Sequence, residues 1–565
     1  MREPPRPAPE RVKPIVALIK PQKATNVGDW RNQRPVFVSQ TPPCTGGCPA
    51  GEQIRDYIAL GLQGRMDEAW RLIKEDNPIP AVMGRVCYHP CESACNRVEF
   101  DEPVAIHALE RRIGDHGLAQ GLRVGKAPSN GSSIAVIGSG PAGLSAAYHA
   151  VRKGYAVTVY EAARKPGGML RYGIPAYRLP RDVLDAEIAG LEALGVRFEC
   201  ERNIGASQSW EMLAPYAGVV LSAGCSAGRK LSAPGADAVG VYDGLTFLRA
   251  VNSGGESPIR AGARVLVIGG GNVAIDAARV SRRLGAAEVS LAFLETEATM
   301  PAYPEERNDA RAEGIRFLPS QHFLGFERGG GSAIVARCVR IDAFRFDAQG
   351  GAIVDAIPGS EHRLEVDVVV VAIGQRADLD FLPIALKVQW EAVAAGEVVP
   401  MGKQWIVGAG DAVEGPSSVV RAVGSGKRAA ALLDAQLRGE SLPRFAKPAT
   451  VPFGQLNMGY FNETSSVRAE HLAHDRRLQS FEEVVGGYDA DAFAAEGGRC
   501  FHCGDCNYCG NCWVFCPESS ITTLPQSEGI NGTLRFQVDN VTCKGCGICT
   551  HECPRAALTM VEEFQ

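Results

Sequence analysis

The apolar positions change rhythm along the chain. From Cys48 to about Asp115 they recur three or four apart, as in Gly51-Glu-Gln-Ile-Arg-Asp-Tyr-Ile-Ala-Leu and Met66-Asp-Glu-Ala-Trp-Arg-Leu-Ile, which is the spacing of amphipathic helices. Pro78 and Pro80 break this run, a further helical stretch starts near Val104, and residues 118 to 132 read as a Gly- and Ser-containing linker. From residue 133 onward the pattern turns to short, unbroken apolar runs. Ile134-Ala-Val-Ile, Ala156-Val-Thr-Val-Tyr, Val219-Val-Leu, Val265-Leu-Val-Ile, Val368-Val-Val-Val and Trp405-Ile-Val suit parallel strands covered on both faces. Residues 1 to 35, rich in proline and charge, predict a segment that wraps over a neighbour. Residues 441 to 495 are mixed and read as a strap between domains, with His471 and His474 on its surface.

Two of the strands run straight into glycines. The first meets Gly138, Gly140 and Gly143: the first permits a tight turn, the second lets the backbone approach a pyrophosphate, and the third lets the following helix pack on the strand. The next strand ends at Glu161, 18 residues past Gly143, where an acceptor for ribose hydroxyls belongs. Gly269, Gly271 and Ala274 repeat the pattern after the strand that begins at Arg264. Two such fingerprints imply two dinucleotides, a bound flavin and an exchanging nicotinamide. The loop from Lys165 to Pro180 is too rich in Gly and Pro for a regular element. Its pair Gly167 and Gly168 suits close approach to a cofactor, against the alternative of an ordinary surface connection. The first nucleotide fold is expected to resume at Val368 and run through Gly374. It closes at Gly410 and Asp411, with Ser417 and Ser418 opening a helix toward the flavin end of the cofactor.

Composition is ordinary for a globular protein: 565 residues, 45% hydrophobic, 22% charged, with a net charge of -5 that gives no reason to expect nucleic acid. There is no secretion-signal pattern at Met1 and no apolar stretch long enough to span a bilayer. Cysteine changes the picture, because 15 of 18 fall in two groups, Cys44 to Cys95 and Cys500 to Cys553. Cys200, Cys225 and Cys338 between them read as core thiols. Dense cysteine beside two dinucleotide folds points to metal or iron–sulfur ligation in a reducing cytoplasm rather than to a disulfide scaffold. Cys506-x2-Cys509-x2-Cys512-x3-Cys516-Pro followed by Cys543-x2-Cys546-x2-Cys549-x3-Cys553-Pro is the two-cluster ferredoxin spacing, in which the fourth cysteine of each run ligates the other cluster. That pattern assigns Cys506, Cys509, Cys512 and Cys553 to one [4Fe–4S] centre and Cys543, Cys546, Cys549 and Cys516 to the other. Spacing assigns no role to Cys500 and Cys503.

Residues 40 to about 435 resemble the glutamate synthase small-subunit family, which includes the N-terminal half of dihydropyrimidine dehydrogenase and the large subunit of NADH-dependent ferredoxin:NADP oxidoreductase. The resemblance rests on Cys44-Thr-Gly-Gly-Cys-Pro, Gly84-Arg-Val-Cys, Gly168-Met-Leu-Arg-Tyr-Gly-Ile-Pro, which holds Arg171, Gly269-Gly-Gly-Asn-Val-Ala, and Gly410-Asp with Gly415-Pro-Ser-Ser. It implies FAD in the first fold, NAD(P)H in the second, and iron–sulfur centres exchanging single electrons with a partner. By the same resemblance one N-terminal cluster keeps Cys48, Cys87 and Cys91, with a fourth ligand falling at Glu110. The set for another is left with Cys44 and Cys95 alone. NADPH-using relatives carry an Arg-Arg pair at the positions of Leu294 and Glu295, so the acid here implies NAD(H), with Glu297 close by. The C-terminal module resembles that of flavoprotein subunits serving thiamine diphosphate-dependent 2-oxoacid oxidoreductases.

The expectation is therefore a multidomain electron-transfer flavoprotein subunit. An extension (1–35) precedes a helical iron–sulfur domain (36–132). A Rossmann-like FAD domain (133–256 and 366–440) holds an inserted Rossmann-like NAD(H) domain (257–365), and a strap (441–495) leads to an α+β bacterial-type ferredoxin domain (496–565). Three [4Fe–4S] clusters are expected, one of them N-terminal. The partners expected are the subunits of a 2-oxoacid dehydrogenase of phenylglyoxylate or 2-oxoglutarate type, or alternatively a glutamate synthase large subunit.

Overall fold

A computed structural model describes residues 28, 31–205, 210–330, 333–347, 351–524 and 536–563. Most of the expected N-terminal extension lies outside the described residues. Two sheets, one parallel but for an antiparallel edge strand and one parallel throughout, organise the middle of the chain. The first has six strands in the order Val399–Met401, Gln404–Gly408, Gly218–Leu221, Ser133–Ile137, Ala156–Tyr160 and Val196–Glu199. Its inner strands are buried throughout, as parallel strands flanked by helices are. Helices Pro141–Arg152 and Val419–Arg438 cross on one face, where a side chain at Gly426 would collide with the Ala142 carbonyl.

The second sheet has five strands, ordered Arg316–Leu318, Glu288–Ala292, Arg264–Ile268, Val368–Val371 and Val241–Asp243. This moves both expected domain boundaries. The run of valines at 368 lies here, with Val369 opposite Leu266 on one side and Val241 on the other. A doubly buried valine run satisfies either sheet equally, so its pattern does not say which one it joins. The passage back to the first sheet comes later, through the short antiparallel pair Gln375–Arg376 and Ala227–Gly228. A four-stranded antiparallel sheet spanning Gln321–Arg328 to His362–Val366 hangs from the second domain and is not signalled in the sequence reading.

The helical domain, from Pro43–Gly47 to Ile106–Ala119, is closed by the other end of the chain. Tyr488 and Phe493 enter its core beside Ile54, Tyr57 and Trp70, and helix Ala490–Gly498 lies along Ile54–Leu62. The C-terminal module is α+β, and its last strand, Leu558–Glu562, pairs antiparallel with Gln33–Phe37. The end of the expected extension is thus part of the ferredoxin fold, and Phe37 packs against its core.

The two nucleotide domains are clasped by the loop after the first fingerprint. Arg178 reaches Asp276 at 2.9 Å and Glu306 at 2.6 Å, Tyr177 donates to Asp276 at 3.2 Å, and the Tyr177 ring lies under the guanidiniums of Arg279 and Arg283. All of these groups are buried or nearly so. Removing one partner of a buried ion pair leaves the other charge uncompensated, at about 3–5 kcal/mol. Arg178→Ala is therefore expected to destabilise the nucleotide domains by about that amount, read as a lower urea midpoint. The same change at the exposed pair-former Arg476 should shift it by no more than about 0.5 kcal/mol.

Candidate functional site

At the first fingerprint, Gly138 has φ 96°, its N–H donates to the Tyr160 carbonyl at 2.8 Å, and a Cβ there would press on the Ser222 carbonyl. Gly143 lies so close to the Gly138 carbonyl that any side chain would collide with it. Gly140 is the opposite case, since a Cβ built on it meets nothing within 4 Å. That open space lies at the mouth of helix Pro141–Arg152, whose N-terminus would favour the charge of a pyrophosphate. Glu161 is buried; one oxygen accepts from the Ser139 N–H (3.0 Å) and hydroxyl, the other from the Ala163 N–H at 2.8 Å. The Gly167–Gly168 turn is no surface connection. The Gly167 N–H donates to Ser139 Oγ at 3.0 Å, and a side chain at Gly168 would strike the Gly140 Cα.

Other expected flavin-site residues divide. Gly410 abuts Ala142, and its N–H donates to Ser425 Oγ at 2.9 Å. Asp411 accepts from Ser417 Oγ at 2.7 Å; burial lifts its pKa and these Ser417 hydrogen bonds work against that. Ser418 caps helix Val419–Arg438 by accepting from the Arg421 N–H. Arg171, which the resemblance implies as a cofactor-binding residue, is buried in the same loop. A buried guanidinium needs acceptors, and it finds the Pro166 carbonyl at 2.6 Å and the Asp185 carboxylate, so it braces the loop. Gly374 accepts from the Arg229 N–H at 3.0 Å, in the link between the sheets.

The second fingerprint repeats the geometry. Gly269 (φ 137°) donates to the Ala292 carbonyl at 2.8 Å, Gly271 faces open space, and Ala274 is fully buried under helix Asn272–Arg283. Glu295 stands beside this turn, its Oε2 lying 2.8 Å from where a Cβ on Gly270 would be. Glu297 is instead paired with Arg311. Arg282 donates to the Ala286 and Ala287 carbonyls (2.7 and 2.9 Å), and Arg283 to Glu313 at 2.6 and 2.8 Å. Neither guanidinium faces the turn freely.

In the helical domain Cys48, Cys87 and Cys91 sit together with Glu110. Burial raises the pKa of each of these thiols, and the charges of Cys48 and Glu110 add to that of Cys87. Glu110 is buried, not on an exposed helix face; Asn77 Nδ2 donates to it at 2.7 Å and to Glu52 at 3.2 Å. Burial first, then Glu52, lifts Glu110 well above the ordinary carboxylate range, against the opposing hydrogen bond from Asn77. Glu52, pushed up to about 8 chiefly by burial, was not foreseen, since no spacing rule marks an acid there. Three thiols and an acid crowded in low dielectric suit a cationic iron core, whose charge would hold all of them ionised.

In the C-terminal module each of two pockets is lined by three cysteines of one run and one of the other. Cys506, Cys509, Cys512 and Cys553 line one small pocket, and Cys543, Cys546, Cys549 and Cys516 line another. The Ser520 and Ala557 N–H groups donate to the Cys516 and Cys553 sulfurs, each at 3.3 Å. Among the described residues no three cysteine sulfurs lie within 4.8 Å of one another. A tetrahedral zinc site, with Zn–S near 2.3 Å, needs sulfurs about 3.8 Å apart. The donor sets therefore fit a polynuclear core and not a single ion.

Comparison with known proteins agrees with this division. The model of the pyridine nucleotide-disulphide oxidoreductase family matches residues 132–426. That of dihydropyrimidine dehydrogenase domain II, 4Fe-4S cluster, matches 31–122, and the 4Fe-4S dicluster domain matches 505–557. The chain is 36% identical over 502 residues to the NADP(+)-dependent formate dehydrogenase subunit beta of Moorella thermoacetica, covering 82% of this chain and 70% of that one. It is 32% identical over 512 residues to the NADPH-Fe(3+) oxidoreductase subunit beta of Geobacter sulfurreducens (82% and 75%). To the glutamate synthase [NADPH] small chain of Escherichia coli it is 32% identical over 411 residues (69% and 87%).

The placement of Glu110 generates a spectroscopic expectation. In Glu110→Ala, low-temperature paramagnetic resonance of the reduced protein should show an altered or absent N-terminal signal, with both ferredoxin signals kept. Identical spectra would rule out Glu110 as a ligand.

Proposed function

The chain belongs to the pyridine nucleotide-disulphide oxidoreductase family, with 4Fe-4S domains at both ends, and from that premise we propose that it is the electron-transfer subunit of a multi-subunit NAD(P)H-linked oxidoreductase. In the first fold FAD would supply the chemistry that turns a two-electron hydride into single electrons for the iron–sulfur centres. The chain's own part is to orient and insulate. Gly140 and Gly271 leave room for two pyrophosphates, the Tyr177–Arg178 clasp sets one nucleotide domain against the other, and the thiols hold the one-electron carriers. The observation that carries the reading is this joining of two open nucleotide cradles to cysteine-lined cavities in one chain.

The relatives named above are subunits or chains of NADP(H)-linked enzymes. Their likeness supports the glutamate synthase reading of the partner better than the 2-oxoacid reading, which rests on the resemblance of the C-terminal module. Mixing the reduced chain with a glutamate synthase large subunit, 2-oxoglutarate and glutamine tests it. Glutamate formed at the expense of NAD(P)H supports this partner. No glutamate, together with NAD+ reduction driven by a thiamine diphosphate-dependent 2-oxoacid oxidoreductase, supports the other. All cysteines are free and no helix among the described residues is long and apolar enough to cross a membrane, which fits a reducing, cytoplasmic setting.

For the nicotinamide, the local geometry favours NAD(H) despite the NADP(H) relatives. Glu295 lies at the fingerprint turn, where a carboxylate accepts from a ribose diol and repels a 2′-phosphate. Stopped-flow reduction of the flavin should favour NADH over NADPH by at least about tenfold, or about 1.4 kcal/mol. Glu295→Arg should abolish that preference. Equal or faster reduction of the unaltered chain by NADPH would sink the assignment.

A further inference from the structure

Four cysteines are left over by every spacing rule, and the fold brings them to one place. Cys44 and Cys95 come from the helical domain; Cys500 and Cys503 come from the segment that precedes the ferredoxin runs. The return of the chain is tightly held. Glu496, fully buried, accepts from the Ala105 and Val467 N–H groups, both at 2.7 Å, and from Arg499 at 2.7 Å. Arg499 also donates to the Glu102 and Pro103 carbonyls, at 2.6 and 3.0 Å, while Arg97 donates to the Arg499 carbonyl at 2.6 Å. Arg55 Nη1 bridges the Cys503 carbonyl (3.1 Å) and that of Gln40 (3.0 Å).

Within this frame the four thiols feel one another. After burial, the charges of Cys500, Cys95 and Cys503 are what raise Cys44. Cys500 is pushed up to about 12 by burial and then by Cys503 and Cys95, and Cys503 to about 11 by burial with Cys95. The sulfurs also have donors aimed at them. The His502 N–H points at Cys500 Sγ (3.4 Å) in the same turn by which the His89 N–H meets Cys87 Sγ (3.2 Å). Asn96 Nδ2, itself buried, donates to Cys503 Sγ at 3.4 Å and to the Val451 carbonyl at 3.2 Å. All four are free thiols, so they are not disulfides, and no three of their sulfurs come within 4.8 Å, so a single tetrahedral ion does not fit.

We propose that Cys44, Cys95, Cys500 and Cys503 hold a fourth [4Fe–4S] cluster, closed by ligands from opposite ends of the chain, which links the N-terminal centre to the ferredoxin module. Its place in the relay rests on the electron-transfer reading above. On one side Cys91 lies near enough to Cys44 for that charge to raise its pKa. On the other, Arg555 lines the pocket of Cys506, Cys509, Cys512 and Cys553, and its carbonyl accepts from the N–H of Gly504, next to Cys503, at 2.6 Å. Electrons come from the hydride given up by NAD(P)H, which leaves NAD(P)+; its two electrons pass singly, and no bond to a thiolate forms or breaks.

Iron and acid-labile sulfide in the anaerobically reconstituted full chain test this directly. Four clusters give about 16 Fe per chain, and three give about 12. The double variant Cys500→Ala/Cys503→Ala should fall from about 16 to about 12 and lose one paramagnetic signal, while FAD content and both ferredoxin signals stay. Cys95→Ala, at the other end of the chain, should lose the same signal. About 12 Fe in the unaltered chain, or no loss of iron in the double variant, overturns the proposal whether or not a variant folds well. Reduction of the flavin by NAD(P)H is read in the same samples. Its absence from the unaltered chain would fault the electron-transfer reading instead, leaving the iron count to stand by itself.

Discussion

Buried cationic side chains that hold backbone carbonyls and carboxylates across the two ends of the chain are the constraint on which the redox half of the molecule depends. Arg97 follows Cys95 by two residues, and Arg499 immediately precedes Cys500. Each is buried, and each is satisfied from the other's segment: Arg97 through the Arg499 carbonyl, Arg499 through Glu102 and Pro103. Asp101 receives both guanidiniums. A guanidinium taken out of water costs several kcal/mol unless its donors are used, so this arrangement tolerates little displacement. Thiols that must converge on one rigid inorganic core need that intolerance. The pairing of Gln33–Phe37 with Leu558–Glu562 adds a backbone ladder to the same junction and seats Phe37 at a cysteine-lined cavity.

The flavin half is held differently. There the sheets supply position through backbone geometry, and the loop from Gly167 to Pro180 does two jobs in sequence. Its first residues press on Gly140, while Tyr177 and Arg178 lie in the second nucleotide domain. One short segment thus touches the dinucleotide cradle and sets the domain that presents the other dinucleotide. Arg171 holds this same loop by bracing its Pro166 carbonyl and the Asp185 carboxylate.

What was legible in the sequence is what local spacing encodes. Gly138, Gly140 and Gly143 must do their separate steric tasks within six residues, and the ferredoxin runs must wrap one small core, so both leave a pattern that can be read without a structure. Contacts made across the chain leave none. Asn96 meets Cys503 over 407 residues, and no spacing relates Cys44 to Cys500. The same reason explains the misplaced strand: four valines announce burial on both faces but not which sheet provides the neighbours. Glu52 was missed because an acid is ordinarily solvated, and only the fold reveals that it shares Asn77 with Glu110.

That shared amide has a consequence for how the N-terminal domain tolerates an empty site. Glu52 is raised to about 8, by burial first and the charge of Asp76 second. A carboxyl whose pKa is higher folded than unfolded contributes stability that is fully present below about pH 4.5. This contribution is lost progressively as pH rises to the folded value near 8. Beside Glu52, Glu110 is raised in the same direction, by burial first and Glu52 second, and burial also raises the neighbouring Cys48, Cys87 and Cys91 thiols. A cationic core in that pocket reverses the sign of the electrostatics for every one of these groups, turning mutual repulsion into a common attraction. A donor set costly to bury by itself and favoured by a cationic core would couple the folding of this domain to its cofactor.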